Sequence, residues 1–164
     1  MYHINTLLVK DSDIGQHGNL FGGRLLYVLD ESAASFAMQV CDTPRVVTVS
    51  MDKCEFKLPA RKGSLVKIFG EVDSIGTTSI TLRMEARKHN VYTGNQKVIL
   101  KTKITFVRVD DDGQPIPIAE RVHKKYKEIN NKRITDYEWD NTLVDSFYRN
   151  NSKYIGINLD ICRI

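Results

Sequence analysis

Residues 18–31 read GNLFGGRLLYVLDE, and the apolar character that begins after Gly22-Gly23 continues through Ala33, Phe36, Ala37 and Met38 to Val40. The run is rich in Leu, Ala, Met and Phe and stops before Asp42-Thr43-Pro44, which predicts one helix from Gly22 to about Val40. Spaced 100° apart, Leu25, Leu26, Leu29, Ala33, Phe36, Ala37 and Val40 share one broad face, and Arg24, Glu31 and Ser35 lie nearly opposite. Beyond Pro44 the apolar period changes from helical to alternating.

The alternating part predicts strands over Val46–Lys57, Leu65–Ser74, Thr78–Lys88 and Lys97–Val109, joined by turns, and a short strand over Tyr2–Val9. In the third of these, Ile80, Leu82, Met84 and Ala86 face one way, while Thr81, Arg83, Glu85 and Arg87 face the other. Short connections imply an antiparallel sheet, wetter on one face. One apolar helix and one such sheet can cover each other only if the sheet curls around the helix. The chain is therefore an α+β domain over residues 1–118, followed by a polar tail over 119–164 with a helix near Ala119–Asn130.

At 164 residues, 41% hydrophobic and 27% charged, the chain can bury a real core. It has no apolar run long enough to span a bilayer, and its first residues lack the order of a secretory signal. A net charge of +4, spread along the chain, does not point to nucleic acid. The cysteines (Cys41, Cys54 and Cys162) are odd in number and lack metal-type spacing, so a reducing cytoplasm is expected and a zinc site is not.

Of the two carboxylates that close the opening stretch, Glu31 falls on the polar face. Asp30 falls roughly 80° from the middle of the apolar stripe, a poor place for an aspartate unless something compensates. A carboxylate that loses solvation there becomes a better proton acceptor, although a structural hydrogen bond would also explain it. Gly22-Gly23 lets a ligand approach the backbone, and the first-turn N–H groups are donors at the positive helix end, suited to a carbonyl oxygen that gains charge. Asn19 just outside offers a donor and an acceptor. From Gly22 to Asp30 the helix rises about 12 Å. One small reacting group cannot easily touch both ends, so a second copy across a two-fold axis would have to supply one of them.

These residues resemble the hot-dog-fold acyl-CoA thioesterases of the bacterial and brain acyl-CoA hydrolase type. The matching pieces are Gly18-Asn19-x-x-Gly22-Gly23, Leu29-Asp30-Glu31, Val46-Val47-Thr48-Val49-Ser50-Met51-Asp52, Phe56-x-x-Pro59 with Gly63, Gly70-Glu71-Val72 and Gly76-Thr77-Thr78-Ser79, in order from Leu7 to Pro117. The resemblance implies a long helix wrapped by an antiparallel sheet. It also implies hydrolysis of fatty acyl-CoA to fatty acid and CoA without metal or redox cofactor, in dimers that group into hexamers. It assigns Asp30 as the group that activates water or attacks directly, with general base preferred, and Asn19 as its assistant from the other half of the dimer. The backbone at Gly22 and Gly23 polarises the thioester carbonyl.

Arg61 and Lys62 could pair with CoA phosphates, and Ser79 could hydrogen-bond pantetheine or phosphate, although a turn or surface role suits each equally. His17 and Asp52 read as structural. Cys41 and Cys54 lack an activating base. A non-catalytic acyl-CoA binder on the same fold is the main alternative, and it would need neither Asp30 nor Asn19. A dehydratase is disfavoured, because the first helix and the loop before it hold only His17.

Overall fold

A computed structural model describes residues 1–135. In chain order they form β1 (Tyr2–Leu8), α1 (Gly22–Cys41), β2 (Val46–Met51), β3 (Glu55–Phe56), β4 (Leu65–Ile75), β5 (Ser79–His89), β6 (Gln96–Arg108) and α2 (Glu120–Thr135). Every strand pairing is antiparallel, in the order β1-β4-β5-β6-β2, and β3 also pairs with β6. Helix α1 packs on one face of this sheet, the hot-dog arrangement that the resemblance implies. The compact unit runs Met1–Lys125, and Val122 on α2 is buried within it. A second unit, Tyr126–Ile164, is described only as far as α2 continues, and the aromatic residues noted in the tail beyond it lie outside the described residues.

The core follows from the alternation. Val66 and Ile68 of β4, Ile80, Leu82, Met84 and Ala86 of β5, and Leu100, Ile104 and Phe106 of β6 all point at the helix and are buried. Each fully buried aliphatic side chain contributes about 1.5–3 kcal/mol, so this layer dominates stability. Irregularities in strand pairing at His3/Asn5, Val72/Ser74, Thr48/Ser50 and Ala86/Arg87 add local bend and twist, which lets the sheet curl. At its C-terminus α1 stops on Asp42 in the left-handed region (φ 52°), whose N–H bonds Met38 O, and Pro44 prevents continuation.

Two sequence expectations need correction. The run Val46–Lys57 is not one strand: β2 and β3 are separate pieces of one edge along β6, interrupted at Asp52-Lys53-Cys54. Across the gap Asp52 N–H still bonds Lys103 O (2.9 Å) and Lys57 N–H bonds Ile99 O (2.9 Å), so the edge bends without losing its partner strand. The buried face of α1 is also rolled relative to the wheel. Val28, Ser32 and Cys41 are buried, whereas Leu26 and Val40 are only partly so. Ser32 tolerates this because its hydroxyl donates to Val28 O (2.6 Å) and accepts from Asn5 Nδ2 on β1 (3.0 Å).

Candidate active site

The loop before α1 is held by a buried acid. Asp13 is 5% exposed; its Oδ2 accepts from Lys10 N–H (2.9 Å), its Oδ1 from Arg24 Nε (2.8 Å), and its main-chain oxygen from Phe21 N–H (2.9 Å). The Lys10 amide and the Arg24 guanidinium hold the Asp13 carboxyl below the usual carboxylate range. One residue thus grips both sides of Gly22-Gly23. The helical wheel shows Arg24 only as a polar-face residue, and nothing in the local sequence marks Asp13 as its partner.

The helix start itself is open. Phe21, the cap position, supplies no side-chain hydrogen bond, and the first helical bond runs from Leu25 N–H to Phe21 O (3.1 Å). The N–H groups of Gly22, Gly23 and Arg24 precede that bond and have no partner inside the helix. A side chain at either glycine would crowd an aromatic neighbour: a Cβ on Gly22 would lie 3.1 Å from the Phe56 ring, and one on Gly23 would lie 2.7 Å from the Phe21 ring. Beside this turn a cleft of about 330 Å³ opens, lined by Asn19, Gly22, Leu25, Phe56, Ala60 and Ile99 among others. It falls at the small end of the range for ligand pockets.

Asp30 is partly buried, and the Thr48 hydroxyl on β2 donates to its Oδ1 (3.0 Å). The contact crosses from α1 to the edge strand that follows it. From sequence Thr48 reads only as a β-branched strand residue, and the contact of its hydroxyl with Asp30 is the feature that reading missed.

The other candidates divide. Asn19 lines the cleft with Gly22, and its backbone bridges to Arg61, which itself does not line the cleft. Lys62 is turned toward Asp11 (2.7 Å), an exposed pair of small energetic weight. Ser79 opens β5 opposite Val107, while Phe56 pairs Leu100, so the two lie about 23 Å apart along β6. Within one protomer Ser79 does not join the cleft. His17 is exposed. Asp52 works through its backbone, accepting from the Thr102 hydroxyl (3.1 Å). Cys41 is buried, and desolvation with the Asp42 charge pushes its thiol up to about 11, which suits packing rather than attack. Among the described residues no cluster of three or more His, Cys, Asp or Glu is placed to hold a metal ion.

The thioesterase superfamily profile matches residues 17–95, from just before Asn19 into the turn between β5 and β6. An uncharacterized acyl-CoA thioester hydrolase of Bacillus subtilis is 30% identical over 126 residues, 77% of this chain and 73% of its own. The chain belongs to the acyl-CoA thioester hydrolases of the thioesterase superfamily. Solved members of this family share the fold. A hexameric hotdog-fold thioesterase of Campylobacter jejuni is 31% identical with a TM-score of 0.65, covering 74% of this chain and 93% of its own. A Staphylococcus aureus acyl-CoA hydrolase in complex with coenzyme A is 26% identical with a TM-score of 0.66, covering 81% and 90%.

Variants of the Staphylococcus thioesterase replace an asparagine, a threonine and an aspartate by alanine. Its threonine stands 17 residues after its aspartate, and Thr48 stands 18 after Asp30. Its asparagine stands 15 residues before the aspartate, whereas Asn19 stands 11 before Asp30, and the residue 15 before is Gly15. Asn19 therefore has its place from the cleft and not from that spacing.

Proposed function

We propose that this chain hydrolyses fatty acyl-CoA to fatty acid and CoA at a site shared by two protomers. The observation that carries the reading is the separation of two complementary parts on one helix. The first turn offers unpartnered amides beside an apolar cleft, and Asp30, about two turns further on, carries the acid. Antiparallel pairing of two copies of α1 would set the first turn of one against Asp30 of the other and create two equivalent sites.

In this arrangement the thioester oxygen lies against the Gly22 and Gly23 N–H groups. Asp30, oriented by Thr48, takes a proton from water, and the water oxygen attacks the carbonyl carbon. The oxyanion gathers charge where the amides and the helix dipole favour it. When the tetrahedral intermediate collapses, the C–S bond breaks and the sulfur leaves with the proton that Asp30 returns, giving CoA thiol and the free acid. Direct attack by Asp30 would instead pass through a mixed anhydride; the Thr48 hydroxyl on the carboxylate is compatible with either, and we favour the base. We assign Asn19 to orienting the water or the acyl group, which its position on the cleft supports, and Arg61 and Lys62 to the phosphates of CoA.

The scheme calls on water and no resident metal or cofactor, because a thioester is already an activated acyl group. The hexameric relatives and the two-copy requirement together favour a dimer as the minimal unit and a trimer of dimers as the assembly. We place the chain in the cytoplasm, in keeping with its free thiols at Cys41 and Cys54.

A thiol-release assay comparing the intact protein with Asp30→Ala tests the reading. Turnover of acyl-CoA that collapses in the variant is expected. Equal rates in the two proteins would leave only a protein that binds acyl-CoA.

A further inference from the structure

We infer that the cleft beside the helix start is the acyl-chain channel, that Ile99 closes its far end, and that Phe56 is its outer wall. Together these two residues set which acyl lengths are turned over. The inference rests on the reading of Gly22-Gly23 as the point where the thioester carbonyl is held.

The geometry behind it is a defect in strand pairing. Ala86 and Arg87 are consecutive on β5 but pair with Leu100 and Val98, so Ile99 is an extra residue on β6. An alternating strand that buries Leu100 should turn Ile99 outward. The bulge instead leaves Ile99 1% exposed and facing the cleft with Leu25 and Ala60. Bulges next to active sites commonly re-aim a side chain in this way. Directly across, the two-residue strand β3 holds Phe56 through its pairing with Leu100, and Lys57 N–H bonds Ile99 O (2.9 Å). The same irregular stretch of β6 therefore positions both the closed end and the wall.

Phe56 is 52% exposed even though its ring lies over Gly22. An aromatic ring left half in water, packed on a glycine at the mouth of an apolar cleft, is suited to cover an apolar ligand. Among the lining residues only Asn19 and Lys57 carry polar side chains, and Arg61 and Lys62 are not among them. A phosphate or a polar pantetheine amide would find few partners inside, while a hydrocarbon chain continuing from a carbonyl held at Gly22 would find many.

The test is kcat/KM across acetyl-, butyryl-, octanoyl- and dodecanoyl-CoA for the full-length protein, Ile99→Ala, Ile99→Val and Phe56→Ala. Removing the closed end lengthens the channel, so the dodecanoyl-to-butyryl ratio should rise roughly 10-fold in Ile99→Ala and less in Ile99→Val. Removing the wall exposes the chain to water, so the same ratio should fall in Phe56→Ala, a partly exposed position where truncation leaves the core intact. Opposite movements of the ratio support the inference. A ratio unchanged in all three, or a KM rise of equal size for every acyl length, would overturn it and assign the cleft to the pantetheine arm. Asp30→Ala is measured beside them: undiminished turnover there would remove the site reading itself, whatever the ratios do.

Discussion

The outer face of the sheet and the helix side treat their carboxylates in opposite ways. Outside, Arg83 reaches Glu71 (2.9 Å) and Asp73 (2.5 Å), Lys103 reaches Asp73 (2.8 Å), and Arg87 and Lys101 hold Glu85 (2.6 and 2.7 Å). Lys103, joined by Arg83, keeps the Asp73 carboxyl below the usual range against some desolvation. At Glu85 burial pushes upward, but Lys101 and Arg87 outweigh it and the carboxyl again sits low. On the helix side Asp30 meets a neutral hydroxyl, and among the described residues no lysine or arginine stands within ion-pair distance of it. A carboxylate matched by cations accepts protons poorly and serves the fold. Asp30, with one neutral hydroxyl as its partner, is not tied up in such a pair, which is what the role proposed for it requires.

The sharpest way to break this contrast is to remove the acids in turn. Asp30→Ala should lower kcat by about 10²–10⁴-fold, the range for a lost general base, with thermal stability retained, as read by steady-state kinetics and a melting curve. Thr48→Val should lower kcat about 10-fold with KM little changed, because it frees the carboxylate to rotate without moving the cleft. Asp13→Asn should cost about 1–3 kcal/mol in denaturant unfolding, since it loses hydrogen bonds made by a charged acceptor at a buried site.

Acid should act on the matched set as well. Asp13, Asp73 and Glu85 all have folded carboxyls held low. Their contribution is present above the unfolded-state values near pH 4 and is lost as pH falls through the lower folded values. Stability measured from pH 6 down to 2 should therefore drop below about pH 4, and less steeply in Asp13→Asn. Smallest of all, Lys62→Ala should change stability by under about 0.5 kcal/mol, because its pair with Asp11 is exposed on both sides.

Much of this was legible before the structure. The position of α1, the alternation of Ile80, Leu82, Met84 and Ala86, and the unusual placement of Asp30 all follow from local periodicity. What escaped depends on pairing between distant segments. The break at Asp52-Lys53-Cys54 shows in the sequence only as a slip of phase, from Val47, Val49 and Met51 to Cys54 and Phe56, with no glycine or proline to mark it, and the pairing with β6 shows that the edge bends there. Ile99 reads as one more strand residue until its partner skips it. Thr48 favours a strand wherever it stands, so its hydroxyl gains meaning only when Asp30 arrives opposite. Asp13 sits among loop-forming polar residues, and its burial is decided by Arg24, eleven positions later.

The shared site is tested most directly by mixing two inactive proteins. Asp30→Ala lacks the acid, and Gly22→Leu fills the mouth of the cleft at the helix start. After subunits exchange in an equimolar mixture, half the dimers are mixed and each holds one intact composite site, so activity should recover to about a quarter of the unmodified level. A mixture that stays at the sum of its inactive parents, despite exchange shown by mass spectrometry, would contradict a site built from two protomers.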